Sequence, residues 1–212
     1  MESGETLTSA SFRQLAAARQ EEILRAARAE FVAHGFALAS TNTMVKNCGI
    51  AKGSLFNYFQ DKESLFLYLH WLAGQRQLSA LRMAGGTAGP PASAMDGLVR
   101  AAGLSLDLFS EFPDDFAFAL TMVAPDAAHL VHRYIALFDP AESAALFRAL
   151  VLPSGTNEAL AQVLRWMLTG IKMEIQAVLA PATDSTTRQA ALRHLRSSVL
   201  RNLELARGFI KE

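Results

Sequence analysis

The chain has 212 residues, 51% of them hydrophobic, with 20 basic against 20 acidic side chains and one cysteine. That length suits one large or two coupled units, and the apolar content excludes a natively disordered chain. No run approaches the roughly 18 uninterrupted apolar residues of a membrane span, MESGETLTSASF lacks the basic start and apolar stretch of a signal peptide, and the lone Cys48 excludes an internal disulfide framework. A cytoplasmic protein without a membrane partner is therefore expected.

Almost every segment has helical periodicity and none alternates for long, which predicts an all-α protein. A first long helix spans 15–34, with Ile23, Leu24, Ala27 and Phe31 on one face and Gly35 at its end. Ser40 can cap a second, short helix that Gly49 ends near Cys48, and a third covers 52–59. Asp61 caps a fourth that carries Leu65, Leu69, Leu72 and Leu78 towards 83, with Glu63 in the first turn where the helix dipole favours an anion. Gly85, Gly86, Thr87, Gly89, Pro90 and Pro91 mark a loop and the clearest break in the chain. Helices follow at 92–110, 114–124, 126–137 and 141–151, and Pro113, Pro125, Pro140 and Pro153 each stand near a helix start, where proline is tolerated. Thr156 is predicted to cap a helix to 179 that Pro181 stops, and Thr186 with Gln189 has the spacing of a capping box for a last helix to 209.

The segment 49–59 has a form that plain packing does not predict. A helix that enters the DNA major groove needs small residues at its start for close approach, and its free N–H groups there favour phosphate. Ala51, Gly53 and Ser54 meet the steric need, and Lys52 can reach a guanine edge or a phosphate. Leu55 and Phe59 share one face and would pin the helix on Phe31, Met44 and Val45. Asn57 and Tyr58 point elsewhere, where an amide can read a base and a phenol can bond a phosphate. The zero net charge is not the basic footprint expected of a nucleic-acid binder, but the charge is uneven. Residues 84–162 hold three arginines against nine carboxylates, whereas within 40–62 Lys46, Lys52 and Lys62 face Asp61 alone.

In order and spacing this region resembles the DNA-binding domain of the TetR family of bacterial transcriptional regulators. The matching residues are Ile23, Leu24, Ala26, Ala27 and Phe31, Gly35-Phe36, then Gly49-Ile50, Lys52 to Phe56, Tyr58-Phe59, Lys62-Glu63 and Leu65. The resemblance implies a helix-turn-helix domain over 12–60 and a helical effector-binding and dimerisation domain over 61–212. It makes Thr41, Asn42, Lys52, Gly53, Ser54 and Asn57 candidates for base or nearby contacts, and Phe56, Tyr58 and Lys62 candidates for the DNA backbone. Three positions depart from the family pattern. Met44-Val45 replaces Ile-Ala and Cys48 replaces Ala, both preserving packing, while Phe56 replaces a Tyr and so loses a hydroxyl that would bond phosphate.

Beyond position 91 the chain is less explicit. Leu160, Leu164, Met167, Ile171 and Val178 form one stripe, and Leu192, Leu195, Val199, Leu203, Ala206 and Ile210 another, two faces able to pair with their copies in a dimeric four-helix bundle. Such a homodimer would read a palindromic double-stranded operator. Phe109, Phe112, Phe116, Phe118, Met122, Trp166, Met167 and Met173 are candidates to line an apolar pocket for a hydrophobic small-molecule effector, with plain core as the alternative for each. Glu111, Asp114 and Asp115 read as a solvated helix end. His129 and His132 have helical metal-ligand spacing but no supporting Cys or carboxylate, so surface histidines are expected, with no metal and no cofactor. No phosphate loop, nucleophile elbow or dinucleotide fingerprint is present, and Cys48 reads as a small buried residue. The expectation is a non-enzymatic, ligand-responsive regulator, a repressor. The alternatives are a helical ligand-binding or enzymatic protein whose helix-turn-helix no longer binds DNA, or an architectural DNA-binding protein without an effector.

Overall fold

The protein, described by a computed structural model over residues 4–87, 89–179 and 185–207, is helical throughout the described residues. Eleven α-helices follow one another: α1 (Ala10–Arg13), α2 (Ala17–Leu38), α3 (Thr41–Cys48), α4 (Lys52–Tyr58), α5 (Lys62–Thr87), α6 (Ala94–Glu111), α7 (Pro113–Met122), α8 (Val131–Ala136), α9 (Pro140–Val151), α10 (Glu158–Leu179) and α11 (Ser185–Arg207). Short 3-10 helices at Gly4–Leu7 and Pro125–Leu130 precede α1 and α8.

The residues pack into two units. One takes the chain up to Arg76 together with Asp114–Asp139; the other takes Gln77–Pro113 and the chain from Pro140 onward. The first is thus longer than a 12–60 reading domain, since it recruits the start of α5, most of α7 and all of α8.

Aromatic rings build the first unit's core. Phe12, Phe31, Phe59, Phe66 and Phe118 are all essentially without solvent contact. Phe12 meets Phe59 at 4.8 Å, Phe31 meets Phe66 edge-on at 4.9 Å, and Phe66 meets Phe118 at 5.6 Å between centroids. Tilted and edge contacts of this kind match the ring quadrupoles, and each fully buried ring contributes about 1.5–3 kcal/mol from burial. Several buried polar groups in this unit find partners. Arg76 clasps Asp115 with two hydrogen bonds of 2.7 and 2.6 Å. Asp115 is therefore buried and paired, not part of a solvated helix end. His70 lies 3.1 Å from the Thr121 hydroxyl and stacks on Phe118 at 4.0 Å. Because that hydroxyl donates to the Phe118 carbonyl (2.6 Å), His70 is its donor through Nε2 and is the neutral tautomer protonated there. Burial pushes its pKa down to about 3. Burial also raises the Tyr134 phenol to about 12.

The second unit is aliphatic. Met95, Leu98, Leu150, Val151, Leu164, Val199 and Leu203 form its centre, joining α6, α9, α10 and α11. Gly97 lets α6 reach the chain at Val151, since a Cβ there would lie 1.9 Å from the Val151 carbonyl oxygen.

Several predicted boundaries move. α5 continues through Gly85, Gly86 and Thr87, so the break comes later than the glycines suggest. The cap of α10 is Asn157, whose Oδ1 accepts the Leu160 N–H at 2.9 Å, while the Thr156 hydroxyl donates to the Pro153 carbonyl. Thr186 sits inside the first turn of α11, not at its cap. Pro181 and Phe209 lie outside the described residues.

Candidate nucleic-acid interface

The candidate reading head is α3 and α4, and local sequence sets their positions in turn. Gly35 adopts φ 69° inside the last turn of α2, a conformation that suits glycine. It also admits Asp126, whose carboxylate would lie 2.9 Å from any Cβ at that position and accepts the Ala37 N–H at 2.8 Å. Three residues on, the buried Glu30 carboxylate accepts the Ser40 N–H at 2.9 Å. Ser40 then caps α3 by accepting the Thr43 N–H (3.4 Å).

α3 ends as its sequence predicts. Gly49 is left-handed (φ 64°, ψ 41°), its N–H returning to the Lys46 carbonyl and that of Ile50 to the Val45 carbonyl, the paired bonds of a Schellman turn. Arg19 steadies this turn from α2 by donating to the Gly49 carbonyl at 3.1 Å. The turn leads through extended Ala51 into α4. There Leu55 (2% exposed) and Phe59 (1%) enter the core that holds Phe31, Met44 and Val45, so the helix is pinned from behind as expected. Phe12 of α1 adds a prop that the sequence reading missed, packing on both Phe59 and Tyr58, while the Ser9 N–H bonds the Tyr58 carbonyl at 2.9 Å. The signal was available: a Ser9 cap three residues ahead of a large apolar residue. In the structure Ser9 Oγ accepts the Phe12 N–H.

What remains outside is a small, mixed surface. Asn42, Lys46, Asn47, Ala51, Lys52, Gly53, Phe56 and Asn57 are exposed, and Thr41, Ser54 and Tyr58 are half-buried. A Cβ on Gly53 would meet nothing within 4 Å, so no neighbour in the fold requires glycine there. Lys62 is placed differently from the rest. Its ammonium donates to the Ala37 (3.1 Å) and Ala39 (3.3 Å) carbonyls and lies 4.8 Å from the Phe36 ring centroid, bracing the link between α2 and α3. Two nearby carboxylates are matched by cations, Glu22 by Arg19 at 2.5 Å and Glu63 by Arg133 at 2.6 Å. His129, one of the two histidines with metal-like spacing, also turns to Glu63, at 3.6 Å. Among the described residues no group of three or more His, Cys, Asp or Glu could hold a metal ion.

The residues expected to line a pocket are divided between the two units. Met122 is in the first unit's core, Phe112 is half-buried, and Met167 packs against the second unit's core. Trp166 and Met173 are 66% and 62% exposed on α10, because a helical stripe does not reveal which face is covered. Phe109 and Phe116 fall outside the described side chains. A cavity of about 490 Å³ opens elsewhere in the second unit, between α5, α6, α9 and α10, with Leu78, Leu81, Leu146, Phe147, Val151 and Leu168 among its walls.

A short helix pinned behind a left-handed glycine turn, with small and polar groups left outside, defines a helix-turn-helix protein. Residues 23–69 match the family model for bacterial regulatory proteins of the tetR family. Over 51 residues it is 41% identical to the HTH-type transcriptional repressor AcnR of Corynebacterium diphtheriae, a match covering 24% of this chain and 27% of that protein. The fold is shared more widely. A TetR family transcriptional regulator from Chloroflexus aurantiacus aligns over 94% of this chain and 98% of its own with a TM-score of 0.57 at 19% identity. A TetR-like transcriptional regulator from Rhodococcus sp. RHA1 aligns over 91% and 99%, again with a TM-score of 0.57, at 22% identity.

Proposed function

We propose that the protein is a DNA-binding transcriptional repressor that acts in the cytoplasm as a homodimer on a palindromic operator and is released by a small hydrophobic effector. The observation that carries this reading is Gly53. Glycine inside a helix costs about 1 kcal/mol relative to alanine, and no neighbour within the protein needs it. A helix that must come against another surface has a use for the missing side chain. Thr41, Asn42, Lys52, Gly53, Ser54 and Asn57 take the base edges or the ground beside them, with Tyr58 on the backbone. Lys62 acts by holding the head as well as by its charge. The likeness to a repressor within this same domain supports the assignment.

Dimerisation is supported by α10, where Leu160, Val163, Trp166 and Met173 are exposed at three- and four-residue spacing around Gly170, which has open space above it. Pairing of that face with its copy removes apolar surface from water and sets two heads about one DNA turn apart. Release is a shift between two states to which the effector and the operator bind with opposite preference. α5 runs through both units and is the element on which such a shift would act.

Selection of preferred duplexes from a random pool tests the reading. A palindromic site should emerge, with affinity falling steeply as salt rises. Lys52→Ala and Asn57→Ala should each cost about 1–3 kcal/mol and relax base preference, whereas Lys62→Ala should weaken all sequences alike. Enrichment of no sequence, or equal losses on every sequence from all three variants, would sink it.

A further inference from the structure

The geometry points to an amphipathic organic anion as the occupant of the second unit's cavity, with its apolar body between α5, α6, α9 and α10 and its carboxylate on Arg165. This deepens the effector part of the proposed function and rests on it only for the regulatory outcome.

At about 490 Å³ the cavity is the size of a small-ligand site, and its walls are mostly leucine, valine, alanine and one phenylalanine. Arg165 is the one charged residue among those lining it. Its guanidinium lies 4.8 Å from the centroid of Phe147, also a wall residue, so the ring holds the cation at the cavity. The Nε atom is buried and has no hydrogen-bond partner, as is also true of Arg28 in the first unit, so the guanidinium's donors are not all used within the protein.

The surrounding carboxylates do not remove that demand. Glu158 comes no closer to Arg165 than 3.7 Å, and its other oxygen accepts from Arg148 at 2.9 Å. Glu142 is held by Arg82. Two wall hydroxyls are committed as donors elsewhere, Ser105 to the Ala101 carbonyl (2.8 Å) and Thr169 to the Arg165 carbonyl (2.9 Å). Arg165 therefore supplies the cationic donor of a mostly apolar site. A planar fork of N–H groups recognises a carboxylate through two parallel bonds, which an alcohol cannot match and an ammonium would oppose.

Calorimetric titration of the full chain with decanoate, decanol and decylammonium tests the assignment. Decanoate should bind about tenfold or more tightly than decanol, and decylammonium more weakly than either. Arg165→Gln should lower decanoate affinity by about tenfold and leave decanol unchanged, while Arg165→Lys should keep part of the preference. Ala144→Phe, which fills the cavity, should weaken decanoate and decanol together. Equal affinity of the wild type for decanoate and decanol, no binding of either, or an Arg165→Gln loss shared by both would overturn the proposal. Should the glutamine variant fail to fold, the wild-type ranking and the lysine variant decide the matter. Operator retention with saturating decanoate is read separately. Binding without release upholds the site and ends the effector-release reading, whereas release by another compound with no decanoate binding does the reverse.

Discussion

The two units are held together by different means. The first is filled with rings and pairs several of its buried polar groups: Asp115 with Arg76, His70 with Thr121, Glu30 with the Ser40 N–H. The second is aliphatic, keeps a cavity of about 490 Å³ and leaves Trp166 and Met173 exposed. A surface that must present a few side chains in fixed register gains from a dense backing. The proposed guest and second copy would use the unfilled volume and the exposed face of the second unit.

The sharpest way to break this contrast is to empty each unit in turn. Phe66→Ala removes a ring with no solvent contact and should cost about 3–5 kcal/mol. Leu146→Ala, in the half-buried cavity wall, should cost less than about 1.5 kcal/mol because no close-packed neighbour is lost. Urea unfolding followed by Trp71 in a Trp166→Phe background reports the first unit, and the converse background reports the second. Equal losses would mean that the packing contrast has no energetic content.

Acid should act next most strongly, and on the first unit. His70 has a folded pKa of about 3 against 6.5 ordinarily. Between those values the unfolded chain binds more protons, so stability rises with pH across the window and is lost as pH falls from about 6.5 towards 3. Acidification from about pH 7 to pH 5 should remove about 2 kcal/mol from the first unit's transition. His70→Gln, which retains a donor for Thr121, should flatten that slope; an unchanged slope would place the acid sensitivity elsewhere.

The smallest effect discriminates best between folding and function. Gly53→Ala should stabilise the first unit by about 0.5–1 kcal/mol, since the added Cβ meets nothing. The same variant should weaken operator binding. Stabilisation with full binding would show that the glycine is not there for DNA.

The sequence was most legible where short-range chemistry decides geometry. Ser40, Gly49 and the spacing of Leu55 and Phe59 each act on the residues next to them, and α3 and α4 begin and end close to where those residues direct. Distant partners were not legible. Nothing near Gly35 indicates that Asp126 will hold the neighbouring amide, and nothing near Lys62 that two carbonyls will take its ammonium. Competing local signals also misled. Thr156 and Asn157 are both able to cap, and the hydroxyl bonds back to Pro153, leaving the cap to the amide. Glycines at 85 and 86 weaken a helix without removing its hydrogen bonds, so α5 runs on, whereas Pro90 and Pro91 remove donors outright. The faces of α10 could not be ranked, since periodicity shows a stripe and not what covers it.

The hydrogen bond from Ala37 to Asp126 spans 89 positions of the chain, and Arg76 reaches 39 positions on to Asp115. A chain emerging from the ribosome makes α3 and α4 early, yet their backing is incomplete until Phe118 and Asp126 have followed. By then all of α6, which belongs to the other unit, has already been made. The two units are therefore interleaved in the order of synthesis, and the head is completed only after part of the other unit has been made.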